Sequence, residues 1–433
     1  MQFQRKMMID HYLGAPLAWG LNICAQIVGK FTKRDHSLTT APRTILFLKF
    51  IGLGSIVRAS FLIDSARKRY PDAKIAFACF PGCAPLVKMY PEIDQVWVVR
   101  ENSIIFLAID TLKLLYKMWR FKVDLVVDLE VHSKYSSIVA GLSLARDRAG
   151  YAGVTSRFRR GLYTHLVFWN PLRFVDHAYE QLGLALGLKR MQPEHVPTLP
   201  SSALSEAQRY LSKLGISATT VVIGINPNAS ELRPERRWPL ENFANLIRSL
   251  PSDKQLTVLL LGSPSERGYV EQLRQLTKDS QIPIHNTAGD LSFAGFTALL
   301  KSLSVLVTND SGPLHLARAF KVPTVSLWGP THPVVFSPRG EKHISLYKPI
   351  YCSPCTHASD VPPCGGDNRC LKQLSWVRVA RALYKLLDMH PPSNLPVEIE
   401  SESADSNTNE IVLGYWQRES APSSLPILPA KNA

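Results

Sequence analysis

The sequence predicts an α/β fold built from two parallel-sheet domains in tandem, and three observations predict it. Short apolar runs alternate with helical patterns from Thr44 onward, the βαβ rhythm of a parallel sheet. That rhythm stops at a polar stretch with three prolines, around Gln192 to Ser205, and then restarts. Within the second half, one strand ends in a short polar loop that opens directly into a helix, a ready-made place for an anion.

Residues 1–40 precede the rhythm. Between His11 and Lys30 no residue carries a formal charge, and Arg5, Lys6, Lys30, Lys33 and Arg34 flank the run. Gly14, Pro16, Gly20, Asn22 and Gln26 interrupt it, which leaves it at the lower edge of spanning length. It reads as a segment lying in a membrane interface, with Trp19 at headgroup depth and the flanking lysines on acidic lipid. A single span, or a helix packed on the protein's own body, are the alternatives.

Residues 41–205 form the first expected domain. TILFLK (44–49), KIAFACF (74–80), QVWVV (95–99) and DLVVDL (124–129) read as strands, with a long helix over 103–119. Residues 206–390 form the second. VVIGIN (221–226), LTVLLLG (256–262), SVLVT (304–308) and TVSLW (324–328) are its strands, and helices begin near Leu240, Ser265, Ser292 and Gly312. Residues 391–433 turn to Pro, Ser, Asn and Glu and read as a disordered tail.

The chain of 433 residues has a formal net charge of +15. The tail contributes −4, which leaves the body near +19 and favours an anionic partner. Nothing in the pattern supports nucleic acid, because no stacking-aromatic or zinc-finger motif accompanies the charge. Seven cysteines in a chain of this size do not make a secreted disulfide scaffold.

VTNDSGPLHLARAF (307–320) is the strongest local signal. Gly312 suits the cap and Pro313 the first turn, where its missing N–H costs nothing. The amides of Ser311, Gly312 and Leu314 are then free to meet a diphosphate at the positive end of the helix. Asp310 is placed to bond sugar hydroxyls, and His315 to contact phosphate or sugar. The plain alternative is an ordinary capped helix.

NDSGPLHLA (309–317) followed by VPTVSLWGPTHP (322–333) resembles glycosyltransferase family 9, the ADP-heptose:lipopolysaccharide heptosyltransferases. INPNAS (225–230), RRWPLENFANLI (236–247), GSPSE (262–266), TAGD (287–290), RYPDAKI (69–75) and PEIDQV (91–96) extend the resemblance over roughly Thr44 to Leu387. It implies a GT-B fold, with two Rossmann-like domains facing across a cleft. It also implies an inverting transfer without an essential metal or other cofactor, on the cytoplasmic face of the inner membrane. A nucleotide sugar would be the donor, and lipopolysaccharide or another anionic glycolipid the acceptor. On the matching positions, Ser230 resembles a phosphate contact and Arg236 the cation that neutralises the leaving diphosphate. Glu266 resembles the carboxylate that grips the donor ribose.

The sequence departs from the family where the acceptor proton is taken. The family's aspartate in the first strand–helix turn is Ser55 here, which has no accessible basicity at neutral pH. Glu130, at the end of DLVVDLE, is the alternative base, with His132 behind it. An ion-paired carboxylate is the competing reading for Glu130, and a catalytically silent binding protein is the competing reading for the whole chain. The basic stretch around Arg157, Arg159 and Arg160 suits a phosphorylated acceptor, or is a solvated loop. NAD binding is disfavoured, because Val57 replaces the third glycine of a dinucleotide fingerprint. Cys352, Cys355, Cys364 and Cys370 have spacing that zinc accepts, although free thiols or reversible disulfides are the favoured reading.

Overall fold

The computed structural model describes residues 8, 10–32, 34–188, 195–229, 234–252, 254–356, 359, 362–392 and 395–396. The chain divides into two compact units between Thr198 and Leu199, just ahead of the boundary expected at residue 205. The reason lies in the helix Ser201–Lys213, which belongs to the second unit. Its Glu206 carboxylate accepts from the Ser292 backbone N–H (2.7 Å) and hydroxyl (2.6 Å).

The first unit holds β1 (Thr44–Leu48), β2 (Lys74–Cys79), β3 (Gln95–Val98), β4 (Leu125–Asp128), β5 (Asp147–Ala152) and β6 (His165–Phe168). They form one parallel sheet in the order β3-β2-β1-β4-β5-β6. The second unit holds β7 (Val221–Asn226), β8 (Leu256–Leu260), β9 (Ile284–Asn286), β10 (Val305–Asn309), β11 (Thr324–Trp328) and β12 (His343–Tyr347). Its order, β12-β11-β10-β7-β8-β9, is the same arrangement counted from its own first strand. All five residues of β1, β8, β10 and β11 are buried, as expected of strands covered on both faces. The order reverses between β1 and β4, and again between β7 and β10. Open α/β sheets bind ligands just beyond the carboxyl ends of strands at that point.

The N-terminal segment folds as a π-helical turn, Asp10–Gly14, and a helix, Ala15–Thr32. Its inner face docks on the first unit. Ala18 packs with Ile138 and Phe158, and Asn22 Oδ1 accepts from the Gly161 N–H at 2.6 Å. A Cβ at Gly161 would lie 2.5 Å from Gln26 Cγ, so this contact requires glycine. The Asp10 carboxylate accepts from the N–H groups of Lys134 (3.2 Å) and Tyr135 (2.8 Å). It therefore satisfies orphan donors at the start of the helix Lys134–Leu142. The outer face exposes Leu17, Trp19, Ile23, Ile27 and Phe31. No helix among the described residues is long and apolar enough to cross a membrane, so the single-span reading gives way to one docked, two-faced helix. Most of the expected tail, 397–433, lies outside the described residues.

Candidate active site

In the second unit, asparagines rather than apolar residues terminate the central strands. Asn226 Nδ2 donates to Thr308 Oγ1 (3.0 Å) and to Ser311 Oγ (2.9 Å), which joins the ends of β7 and β10. Asn309 Nδ2 donates to the carbonyls of Pro227 (2.9 Å) and Asn228 (3.2 Å). Its Oδ1 accepts from the Trp238 N–H at 3.1 Å. Trp238 is wholly buried and anchors the neighbouring Arg236 and Arg237 by donating from Nε1 to the Leu374 carbonyl at 2.9 Å. These two asparagines brace the loop from the ends of β7 and β10. Polar residues closing apolar strands were the available signal.

The predicted helix begins at Gly312 and runs to Ala319, with Ser311 as an extended cap residue. Ser311 makes no side-chain capping bond, because its hydroxyl is engaged by Asn226 and Thr308. The amides of Ser311, Gly312 and Leu314 consequently have no protein acceptor among the described residues, as first-turn positions leave them. Asp310 is nearly buried, and Arg236 Nη1 lies 3.3 Å from its Oδ2. The Nε–H groups of Arg236 and of Arg237, which lies over the Tyr269 ring, are buried without a partner among the described residues. Buried donors left unpaired call for an explanation, and an anion is the natural one. His315 is buried on the first helical turn. Glu266 Oε2 accepts from the Ser263 N–H (2.8 Å) and hydroxyl (2.7 Å), an internal cap that involves one of its two oxygens. Ser230 lies outside the described residues.

In the first unit, Glu130 sits just past β4 and its carboxylate is taken up on both oxygens. Oε2 accepts from Lys49 Nζ at 2.7 Å, and Oε1 accepts from the N–H groups of Phe50 (2.8 Å) and Ile51 (3.2 Å). The ion pair with Lys49 is the one expected as the competing reading. Glu130→Gln keeps an oxygen for the two amides and loses the bond to charged Lys49. The variant is expected to be about 1.5–3 kcal/mol less stable in urea titration, with donor affinity unchanged. Ser55 lies in the first turn of the helix Leu53–Arg69. Desolvation of the His132 ring, helped by the cations Arg159 and Lys49, lowers its pKa and keeps it neutral at physiological pH.

The three arginines divide sharply. Arg157 and Arg160 are exposed, whereas Arg159 is fully buried. Its guanidinium donates to Ser137 Oγ (2.9 Å) and to the carbonyls of Glu130 (2.8 Å), Tyr151 (3.2 Å) and Ser133 (3.2 Å), and lies 3.4 Å from Asp128 Oδ2. Assignment of Arg159 to the acceptor is therefore corrected, because all its donors are committed inside the fold.

The four clustered cysteines are unpaired thiols that line one recess with Glu235 and Asn368. Among the described residues, no three of them bring their sulfurs mutually within 4.8 Å. Among the described residues, the three metal-capable donors lying mutually within 4.8 Å are Asp64, Glu92 and His195. There Lys68 Nζ already answers Asp64 at 2.7 Å, and His195 answers Glu92 at 2.9 Å.

The family model described as glycosyltransferase family 9 (heptosyltransferase) matches residues 121–364. Lipopolysaccharide heptosyltransferase 2 of Salmonella typhimurium is 26% identical over 299 residues, covering 67% of this chain and 84% of that one. Lipooligosaccharide heptosyltransferase 2 of Haemophilus ducreyi is 27% identical over 310 residues, covering 68% and 85%. Among solved structures, the ADP-heptose lps heptosyltransferase II of E. coli superposes with a TM-score of 0.63 at 22% identity, over 79% of this chain and 98% of that one. A family 9 glycosyl transferase from Veillonella parvula gives 0.64 at 20% identity, over 80% and 97%. The structural likenesses show the fold, GT-B, with its two Rossmann-type sheets. Fold and sequence together define the protein as a glycosyltransferase. The chain belongs to glycosyltransferase family 9.

Proposed function

We propose that the protein is an inverting, metal-independent heptosyltransferase that moves heptose, or a related sugar, from ADP-heptose to a lipopolysaccharide core or similar glycolipid. The observation that carries this reading is the set of unpaired amides at 311–314 beside Asp310 and Arg236. The names of the relatives supply the sugar and the acceptor, and an E. coli heptosyltransferase solved with ADP supports the nucleotide.

In this mechanism the helix amides receive the diphosphate, and Arg236 and Arg237 supply positive charge as the leaving group gains negative charge. Arg236 also steadies Asp310, which bonds the sugar hydroxyls. The remaining oxygen of Glu266 accepts from the ribose. Arg157 and Arg160 meet the phosphorylated acceptor, and His132, neutral at physiological pH, takes over the role of proton acceptor from Glu130. The acceptor is membrane-borne, so the enzyme works in peripheral contact with the cytoplasmic face of the inner membrane.

A thermal-shift series with nucleotide sugars tests the donor site. Ligand at a hundredfold over its Kd adds about 2.7 kcal/mol, so ADP-heptose is expected to raise the wild-type Tm by several degrees and Asp310→Ala by far less. Equal shifts in both proteins would remove the assignment. A second reading, a silent relative that binds donor without transfer, is favoured by Ser55 together with the saturated Glu130. Donor binding with no turnover over a panel of core glycolipids would select it.

A further inference from the structure

We infer that the outer faces of two helices of the first unit, Ala15–Thr32 and Ile104–Arg120, together form a docking surface for an anionic lipid bilayer. The inference rests on the peripheral membrane contact proposed above and adds to it a second, internal helix.

Helix Ile104–Arg120 is amphipathic twice over. Leu114, Leu115 and Met118 are buried on its inner face. On the opposite face Ile105, Ile109, Leu112, Tyr116 and Trp119 recur at spacings of four, three, four and three residues and stand 69%, 40%, 68%, 64% and 50% exposed. That spacing draws one continuous apolar stripe along a helix. An internal crossover helix has no reason to present such a stripe to water. Stripes of this kind mark a surface that something covers.

The two helices share a support. Ala15–Thr32 packs along Lys134–Leu142 through Ala18 and Ile138. Ile104–Arg120 is tied to the same helix. Trp119 Nε1 donates to the Leu142 carbonyl at 3.0 Å, and the Thr111 and Tyr135 hydroxyls are bonded at 2.8 Å. The supporting helix starts immediately after Glu130 and His132, so the lipid-facing elements grip the element that carries the acceptor loop.

Charge identifies the occupant. Neither outer face carries an acidic side chain. Asp110, the lone acid of the second helix, is buried and paired with Arg100 at 2.7 Å. Lys30, Arg34, Lys113, Lys117, Arg120 and Lys122 are exposed at the edges of the two stripes. Apolar side chains bordered by cations, with Trp and Tyr among them, are the composition that seats a helix in the boundary of an acidic leaflet. A second copy of this chain would set those cations against one another.

Flotation with vesicles of phosphatidylethanolamine and phosphatidylglycerol, in about three-to-one proportion, tests the inference on the full chain. The wild type is expected to float with these vesicles, to lose most of that binding in high salt, and to stay behind with pure phosphatidylcholine. Ile109→Glu/Leu112→Glu, on exposed positions, is expected to weaken partitioning at least about tenfold, as is Leu17→Glu/Ile27→Glu. Both variants should keep the wild-type thermal shift with the donor. Wild-type binding by Ile109→Glu/Leu112→Glu would overturn the two-helix surface and leave the membrane contact resting on the N-terminal helix. Absence of wild-type binding would overturn both, while an intact donor shift would leave the transferase reading standing. Sedimentation showing a dimer that the same substitutions dissociate would assign the stripe to a second copy and overturn the lipid.

Discussion

Replacing Arg159 with methionine is expected to cost about 3–5 kcal/mol of folding stability, the range for breaking a buried ion pair from one side. Arg159 and Asp128 are both wholly inaccessible, 3.4 Å apart. The guanidinium also ties the carbonyls of Glu130, Ser133 and Tyr151, and the loss leaves those groups short of a donor. Tyr163 and Ser136 still donate to Asp128, which limits the loss. Burial already raises the Asp128 pKa above its ordinary 3.8, against the pull of Arg159. Removing the cation raises it further. A carboxyl whose folded pKa lies above the unfolded one holds its proton more tightly when folded, so stability falls as pH rises through that window. The deficit of Arg159→Met is therefore expected to be smallest near pH 4 and full at pH 7. Urea titrations at the two pH values measure it, and a deficit under about 1 kcal/mol at pH 7 would refute the keystone role. Arg157→Met, two residues away and exposed, should stay within about 0.5 kcal/mol of wild type.

Arg236→Ala is expected to lower donor-saturated turnover about 10²- to 10³-fold, the loss seen when one preorganised charge-stabilising donor is removed. The side chain is fixed from two directions, by the buried Trp238 that follows it and by Asp310 at 3.3 Å. It need not reorganise as negative charge grows on the departing diphosphate. Ground-state affinity for the donor should fall much less, since the amides at 311–314 remain. Arg236→Lys should recover part of the loss, because the charge returns without the planar fork. Single-turnover rates with ADP-heptose, read beside the Tm of each variant, separate chemistry from folding. A turnover loss below tenfold would show that Arg236 does not face the leaving group.

The parts of the fold legible in the sequence are those whose cause is local. β1, β7, β8 and β11 are buried apolar runs and can be read directly. β5 reads DRAGYA and β9 has three residues, so neither carries a run long enough to announce itself. The loop at 309–314 was legible for the same reason, since strand end, cap and proline are neighbours in the chain. The partners of Glu130 were not, because Lys49 lies 81 residues away and only the pairing of β1 with β4 brings it close. Arg159 looked like one of three solvated cations; its burial follows from Asp128, 31 residues earlier. Residues 12–29 announced an apolar segment by their lack of charge. Their docking through Asp10 and Asn22 is a tertiary fact.

Both halves of the protein solve one geometrical problem with the same latch. Where the strand order turns back on itself, an acid two residues or fewer past the fourth strand reaches a base that follows the first: Glu130 to Lys49, Asp310 to Arg236. The latches are closed to different degrees. Glu130 has every oxygen occupied, while Asp310 has the one cation among the described residues. A repeated architecture has thus become unequal halves, one acid fully committed to its own fold and the other holding a single cation among the described residues.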